Sequence, residues 1–475
     1  MDEKTPRSAS SAIATATASL WETLRPYAGR VVVTYYVAVL FGVNDGAFGV
    51  ILPRIKTHYG VNEAVVSVLF LCNTAGYLSA AFVNGLIVHR LGQSGALYLG
   101  ASSHLLSYIL LLVAAPFPAM AVFMLFLGFG MALEDAGVNV VVAEMPYATT
   151  LLNLLHAFYG FGAFIGPIIA SALFADSLSW NVVYMILGGL ALINLIALFV
   201  IFRRISPADL THRHASTPPT DPSSTPIKTP THLLRAAFSL RVTYLGALFL
   251  LAYVGVEVTI GGWVYSFLTE IRGGDTVRMG PLVSLYWLGL TFGRVVLGWV
   301  TGKFGEKRMI YLYLVVTVGG VLVVWLVETV EVDAAMLFVV GAALGPVFPT
   351  TISIASQVVP KELFASSVGF LTAFGSGGAA LFPWLTGTIA VRYGIWIMMP
   401  FSIALVVVMF AFWIFIPSPK KPAEQLAAKE GALASSETVV RVEGESATHK
   451  TILHNFLLEM VVPTASMFKN TAAVL

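Results

Sequence analysis

The sequence has little of the polar surface that a water-exposed protein needs. Only 11% of its 475 residues are charged, whereas 57% are hydrophobic. Soluble domains carry about 25% charged and roughly 45–50% apolar residues. The scarcity of charge excludes an ordinary soluble chain and predicts that most of the protein lies in a lipid bilayer.

Cysteine is nearly absent, and neither sign of charge dominates. The single cysteine, Cys72, excludes an intramolecular disulfide scaffold and a thiolate zinc cluster. A net charge of +2 gives no basic surface of the kind that binds nucleic acid. The sequence contains no nucleotide-binding P-loop, and its His and acidic residues lack metal-ligand spacing. We therefore expect no enzyme, cofactor, bound metal or nucleic-acid partner, and no pump driven by its own ATP hydrolysis.

Long apolar segments are abundant instead. A hydrocarbon core of about 30 Å requires about 20 helical residues, and twelve segments of this length are separated by short polar breaks. Their approximate bounds are 31–52, 65–88, 95–115, 119–142, 151–174, 181–201, 244–268, 281–300, 309–327, 334–356, 366–389 and 395–416. The predicted fold class is an all-α membrane protein with twelve transmembrane helices.

Lysine and arginine are distributed unevenly about these spans. With the N-terminus inside, the inner loops and tails hold 21 of the 27 basic residues, the outer loops hold five, and Arg294 lies within a span. Cytoplasmic loops are enriched in these residues, so both termini are predicted to be cytoplasmic. A Ser-, Thr- and Pro-rich linker is expected to be disordered. The predicted domains are an N-terminal tail (1–28), a six-helix bundle (29–204), the cytoplasmic linker (205–237), a second six-helix bundle (238–417) and a cytoplasmic C-terminal tail (418–475).

Glycines in the two halves repeat at a constant offset of 213 residues. The pairs are Gly42 and Gly255, Gly49 and Gly262, Gly76 and Gly289, Gly85 and Gly298, Gly92 and Gly305, and Gly128 and Gly341. The chain is therefore interpreted as a duplicated six-helix unit. Because both units begin on the same side, they form a parallel repeat, for which a binding site between the halves is expected near the midplane.

The loop after the second span reads GLIVHRLG at 85–92 and is echoed by GWVTGKFG at 298–305. Together with the twelve spans, these loops resemble the gating loops of the major facilitator superfamily of secondary transporters. The resemblance covers all of the chain except the tails and the linker. It implies two parallel-repeat bundles and a monomer in which small and basic residues hold the cytoplasmic side closed. His89 stands where the family usually has an acid. The gating residues so implied are Gly85, Arg90, Gly92, Gly298, Lys303 and Gly305.

Two further stretches resemble the fucose permease-like branch of this superfamily, which includes many fungal proteins. They read FGVNDGAFG at 41–49 and GFGMALEDAGVN at 128–139. In that branch an acid in span one and an acid in span four are linked to proton coupling and sugar binding. The resemblance carries these roles to Asp45 and Asp135, with Asn139 following at the matching spacing.

The cost of burying charge points to the same positions. Four acids lie well inside spans: Asp45, Glu134, Asp135 and Glu257. Each costs about 2.5–3.5 kcal/mol at bilayer depth, which makes it a functional candidate by default. Arg294 is the only Lys or Arg within a span, so at most one acid is expected to form a buried pair. We predict proton coupling at Asp45, Asp135 and Glu257; the alternative for Asp45 and Glu257 is a hydrogen bond that packs two helices.

Adjacent helical residues differ by about 100°, so only one of Glu134 and Asp135 can point fully into a cavity. Asp135 is favoured because it shares a face with Asn139, four residues on. His156 is interpreted either as part of a proton path or as a residue that packs between helices. Arg294 is interpreted either as a partner for an anion or an acid, or as a residue that bridges two helices. Sugar-like solutes need bidentate polar groups and aromatic faces. The candidates for substrate binding are Asn44, Asn73, Tyr77, Glu134, Asn139, Tyr253, Trp263, Tyr286 and Phe348.

These features favour a plasma-membrane transporter that imports a small polar solute, a sugar or sugar-like compound, together with protons. Two alternatives stay open. The segment GAFIGP at 162–167 resembles the core of the antiporter motif of drug–proton exchangers, which favours a proton-antiport exporter of a drug or secondary metabolite. A non-transporting nutrient sensor would use the same fold with a long signalling tail, and the modest tails argue against it.

Overall fold

A computed structural model describes residues 22–203 and 235–417, and all regular elements in these ranges are helices. The first half contains α1 (Ala28–Tyr59), α2 (Glu63–Val66), α3 (Val68–Leu112), α4 (Phe117–Ala143), α5 (Ala148–Ala175) and α6 (Val182–Phe202). The second half contains α7 (Arg241–Glu270), α8 (Met279–Phe292), α9 (Gly298–Phe304), α10 (Glu306–Leu326), α11 (Val330–Leu344), α12 (Val347–Val358), α13 (Lys361–Tyr393) and α14 (Met398–Phe415). Short 3-10 turns occur at Arg25–Tyr27 and Ile395–Ile397, and a π-helical segment, Gly293–Leu297, joins α8 to α9.

The described residues include eleven helical stretches long and apolar enough to cross a membrane. One of them, Glu63–Leu112, has 50 residues. A straight helix of that length would extend about 75 Å, more than twice the hydrocarbon thickness. The chain instead bends at Gly92, whose φ of 73° and ψ of 171° are accessible essentially to glycine alone. The bend separates predicted spans two and three, so the twelve predicted crossings are confirmed.

The helix α1 extends seven residues beyond the predicted end of the first span and includes Pro53. Proline removes one backbone donor, but membrane helices tolerate it where other groups satisfy the freed backbone. The carbonyl that loses its helical donor is that of Gly49, four residues before the proline, and one turn beyond the proline the Thr57 hydroxyl donates to the Pro53 carbonyl at 2.9 Å. The helix then ends at Gly60, which adopts the left-handed conformation that favours glycine.

Paired glycines of the predicted repeat make equivalent contacts in the two halves. A Cβ atom at Gly76 would clash with the α4 backbone, and one at Gly128 would clash with the α3 backbone. Their partners at the 213-residue offset, Gly289 and Gly341, are in the same relation between α8 and α11. The duplicated pattern therefore corresponds to duplicated helix packing.

The two halves meet through α1 and α7, α5 and α8, and α3 and α13. We call the end of the bundle where α1 and α7 terminate the distal end, and the end containing the Gly92 bend the proximal end. At the distal side Gly49 packs on the α7 backbone at Gly261, and Gly387 of α13 packs on Ser67. The structure is thus closed between the halves on its distal side.

Some predicted boundaries fall on residues that the structure leaves undescribed. The N-terminal tail up to residue 21, linker residues 204–234 and the tail from residue 418 lie outside the described ranges. Residues 235–238 form a helical turn, so the second helical region begins within the range predicted as linker.

Candidate solute and proton site

Asp45 lies in the middle of α1, and both of its carboxylate oxygens accept hydrogen bonds. Oδ1 accepts from the Asn44 amide at 3.0 Å, and Oδ2 accepts from the Tyr159 hydroxyl at 2.8 Å. Both donors are neutral, and no salt bridge to Asp45 occurs within the described ranges. Asp45 is therefore a membrane-embedded acid that is hydrogen-bonded but has no cationic partner.

Glu134 of α4 is fully buried and makes a different set of contacts. Its Oε1 lies 3.1 Å from His104 Nδ1, and its Oε2 accepts from the Asn194 amide at 2.6 Å. Besides the Arg294 pair expected from the count of Lys and Arg, the His104 imidazole is thus a second hydrogen-bond partner for a buried acid. The three helices α3, α4 and α6 meet at Glu134, so this side chain packs between helices in the described state, and its contact with substrate stays a prediction.

Asp135, the next residue, points elsewhere. Its Oδ2 accepts from the Tyr77 hydroxyl at 2.7 Å, and its Oδ1 accepts from the Asn139 amide at 2.9 Å. The predicted shared face of Asp135 and Asn139 is therefore observed. Asp135 also lines a small cavity and has no salt bridge to a described residue. Of the two adjacent acids, Asp135 is the one that faces open space.

This cavity lies between α1, α4 and α5 and has a volume of about 40 Å³. At roughly 10–15 Å³ of such volume per water, it has room for about three water molecules and not for a sugar. Its polar groups come from Asp135, His156 and Tyr159. The full lining is Ala38, Phe41, Asp135, Val138, Leu155, His156 and Tyr159.

The second half contributes an acid and a base to the same region. Arg294, in the π-helical segment, lies 3.1 Å from the Glu257 carboxylate of α7. Its guanidinium also lies 5.8 Å from the centre of the Tyr159 ring, a cation–π distance. Tyr159 thus contacts Asp45 through its hydroxyl and Arg294 through its ring. This tyrosine joins the acidic sites of the two halves.

The remaining substrate candidates pack among helices in this state. The Tyr286 hydroxyl donates to the Glu257 carbonyl at 3.1 Å, and the Trp263 indole donates to the Pro383 carbonyl at 3.0 Å. Tyr253 is buried with its ring centre 6.4 Å from that of Phe348. Asn73 packs with its backbone against Gly128. These side chains do not line the cavity at Asp135, and their contact with solute stays a prediction.

The predicted gating residues lie at the proximal end and are loosely packed. A Cβ atom added at any of the four gating glycines meets no heavy atom within 4 Å. These glycines are Gly85, Gly92, Gly298 and Gly305. Arg90 is exposed, and Lys303 contacts the rings of Trp299 and Phe304 without forming a salt bridge to a described residue. The proximal glycines therefore lack the close helix contacts found on the distal side.

Four residues of this network were not predicted from the sequence. They are His104, Tyr108, Tyr159 and Asn194. His104 carries a signal that was available, since an ionisable residue in a span is costly whether it is acidic or basic. Tyr159 lies three residues after His156 and shares its helix face. Tyr108 and Asn194 have no comparable signal in a chain so rich in aromatic and apolar residues.

Comparisons with known proteins place this geometry in a family. A sequence model of the Major Facilitator Superfamily matches residues 34–376 and 334–468. The chain is 27% identical over 390 residues to Bypass of stop codon protein 6 of Saccharomyces cerevisiae, covering 77% of the chain and 78% of the relative. It is 21% identical to a glucose/galactose transporter of Brucella abortus, covering 73% and 84%. The solved structure of the nucleoside transporter NupG has 14% identity and a TM-score of 0.65, covering 82% and 98%.

Proposed function

The chain belongs to the Major Facilitator Superfamily, and from that premise we propose that it transports a sugar or sugar-like solute by proton-coupled symport with alternating access. The family and its relatives show that the protein is a multi-pass membrane transporter of small solutes and not an enzyme. Proton coupling, the sugar-like class of the solute and the inward direction of transport are what we propose.

The observation that carries proton coupling is the environment of Asp45. Glu257 has Arg294 as a partner, and Glu134 has His104, but among the described residues the hydrogen-bond donors to Asp45 are the neutral Asn44 and Tyr159. An acid at bilayer depth without a cation is costly when ionised, so binding a proton is a direct way to relieve that cost. A group of this kind can accept a proton from one side and release it to the other.

Asp135 and Glu257 are proposed to act with Asp45 through Tyr159. Asp135 shares its cavity with Tyr159, whose ring faces Arg294. A change in the charge of Asp45 or Asp135 therefore acts on the Arg294–Glu257 pair across the interface between the halves. Substrate and proton then favour the same arrangement of the halves, which is the requirement for coupling.

A sugar is proposed because of the polar groups and the relatives. Asn139, Tyr77 and Asp135 form a cluster of donors and acceptors beside a cavity, the chemistry that hydroxyl-rich solutes need. Relatives that cover more than 70% of the chain include the glucose/galactose transporter and a glucose/mannose transporter of Bacillus subtilis. Because the cavity is small, the solute would enter only after the halves rearrange.

The test uses purified protein in liposomes with an imposed pH gradient and a panel of hexoses, deoxyhexoses and polyols. We expect an inward current with at least one sugar and its loss in Asp45→Asn, while exchange of solute without net proton movement persists. Asp176→Asn, which alters an exposed acid in the loop after α5, is the matched control and should keep the current. Accumulation against a gradient that survives in Asp45→Asn would refute coupling at this residue.

The proton-antiport exporter is the second candidate, favoured by the segment at 162–167. Gly162 and Gly166 pack directly on the α1 backbone near Val39 and Val43. Close helix packing therefore accounts for these glycines without an antiport role. Reversing the pH gradient in the same liposomes tests the exporter, since antiport predicts solute movement opposite to the proton.

A further inference from the structure

A chain of hydrogen bonds connects Glu134 to Asp45 through the middle of the first half. It runs from Glu134 to His104 (3.1 Å), from His104 Nε2 to the Tyr108 hydroxyl (2.8 Å), and from Tyr108 to Asn44 Oδ1 (3.1 Å). The Asn44 amide nitrogen then donates to Asp45. We call these five residues the Glu134–Asp45 chain. His104, Glu134 and Tyr108 are fully buried.

The chemistry of the groups fixes the direction of each bond. The Asn44 Oδ1 atom has no hydrogen, so the Tyr108 hydroxyl must donate to it. Because Tyr108 has only that one hydrogen, its oxygen must accept from His104, and His104 Nε2 therefore carries a proton. The bond between His104 Nδ1 and Glu134 holds one further proton, on either atom, since neither can otherwise donate.

These directions orient the Asn44 side chain. With its oxygen held by Tyr108, the amide must present its nitrogen to Asp45. In the opposite amide orientation Tyr108 could accept from Asn44 and donate to His104, but the Asn44 oxygen would face the ionised Asp45 carboxylate as acceptor against acceptor, and buried unpaired polar groups are costly. Asn44 does not conduct a proton, because an amide does not readily exchange its hydrogens along such a chain. Its role is to hold its nitrogen towards Asp45.

We propose that His104 and Tyr108 are positioning residues that hold the Asn44 amide donor on Asp45 and thereby favour the ionised carboxylate in this distal-closed state. This inference rests on the proposed coupling role of Asp45. It gives the His104–Glu134 pair a function in setting when the coupling proton is released. No sugar and no moving proton need to touch the pair.

Other charged and titratable groups also face Asp45. Tyr159 of α5 donates to it, and beyond that ring lie Arg294 and the Glu257 carboxylate of the second half. His104 of α3 lies behind Asn44 and Tyr108, and Tyr77, which bonds to Asp135, lies on the same helix. Substitutions at Tyr108 and His104 remove no atom of the Tyr159–Asp45 bond or of the Arg294–Glu257 pair, so their effect on Asp45 can be separated from those contacts.

Tyr108→Phe is the direct test, because it removes one hydroxyl and leaves the ring. Losing the orienting bond weakens donation to the carboxylate, so Asp45 should hold its proton at higher pH. We expect the half-maximal pH of solute uptake to rise by about half a unit to one unit, the range for partial loss of one bond to a charged group. Tyr184→Phe is the matched control, since this buried hydroxyl lies beside Tyr108, with ring centres 5.9 Å apart, and bonds to no described residue.

A second pair of variants applies if Tyr108→Phe folds poorly. His104→Gln keeps a donor that can reach Tyr108 and should retain a pH profile close to that of the unmodified protein. His104→Leu removes that donor and should raise the half-maximal pH as Tyr108→Phe does. Carboxyl infrared bands in the same samples, assigned with Asp45→Asn, should show protonated Asp45 persisting to higher pH in the shifted variants.

The outcomes separate this inference from the proposed function. If Asp45→Asn leaves the pH dependence of uptake unchanged, coupling at Asp45 itself fails. If Asp45→Asn abolishes that dependence but Tyr108→Phe matches Tyr184→Phe, and His104→Leu matches His104→Gln, the positioning role is overturned while coupling stands. The inference is supported if the half-maximal pH of uptake rises in Tyr108→Phe and His104→Leu and stays unchanged in Tyr184→Phe and His104→Gln.

Discussion

At the residue scale, the four membrane-embedded acids are distinguished by their partners rather than by their depth. Glu134 and Glu257 each have a side chain of a basic residue as partner, His104 and Arg294, whereas within residues 22–203 and 235–417 the donors to Asp45 and Asp135 are neutral. The first two are therefore suited to holding helices together. The latter pair is free to change charge without breaking an ion pair.

This distinction predicts the effect of removing Arg294. Arg294→Met would leave the Glu257 carboxylate unpaired in a poorly solvated site, and breaking such a pair by removing one partner costs about 3–5 kcal/mol when it is well buried. Because the Arg294 side chain is 17% exposed, we expect a loss nearer 2–3 kcal/mol. The measurement is the thermal unfolding temperature in detergent.

The double variant Arg294→Met with Glu257→Gln provides the control for this prediction. Removing both charges should restore much of the lost stability, because neither partner is then left as an unpaired ion. A double variant no more stable than Arg294→Met would argue against a structural ion pair at this position.

At the scale of helices, the space around a glycine differs from one position along the helix to another. Gly76 lies where α3 crosses α4, and a methyl group there would strike the Leu125 carbonyl. Gly85 lies on the same helix nine residues later, and a methyl group there would meet nothing within 4 Å. The same residue type therefore permits close packing at one position and is not required for packing at the other.

Gly76→Ala should destabilise the protein by about 1–3 kcal/mol, the usual cost of overpacking, because a backbone carbonyl cannot yield as a side chain can. Gly85→Ala should be neutral or stabilising by a few tenths of a kcal/mol, since alanine is the better helix former. Unfolding temperatures of the two variants in detergent give the comparison. Equal losses at both positions would contradict the helix crossing described here.

Much of the helical architecture could be predicted from the sequence, because span length and glycine spacing are local properties. The break at Gly92 and the shared face of Asp135 and Asn139 belong to this class. The hydrogen-bond partners of the acids could not be predicted in this way, because they come from distant parts of the sequence. The Tyr159–Asp45 bond joins residues 114 positions apart, and the rotation of α5 against α1 that permits it follows from packing. Proline propensity alone would end α1 near Pro53, yet the helix continues to Tyr59.

At the scale of the whole molecule, one lysine bridges the halves at the closed distal end. Lys56, near the end of α1, lies 2.8 Å from both Glu63 of the first half and Glu270 of the second. These side chains are 20–39% exposed, so each bond is worth only about 0.2–1 kcal/mol. That is too little to fix the fold but enough to bias two arrangements of the halves that differ by a few kcal/mol.

Lys56→Gln should therefore move the population towards a distal-open state by about two- to fivefold, the shift that a bias of roughly 0.5–1 kcal/mol produces. A reporter at Phe70 detects this, because its ring packs on Gly262 across the closed interface. In a Cys72→Ala, Phe70→Cys background, the rate of maleimide labelling should rise by the same factor. Arg54→Gln is the matched control, since Arg54 lies on the same helix over the Phe174 ring and forms no salt bridge to a described residue. An unchanged labelling rate in Lys56→Gln would mean that close packing alone holds the distal end shut, and an equal rise in Arg54→Gln would mean that positive charge in general, and not the Lys56 bridge, is responsible.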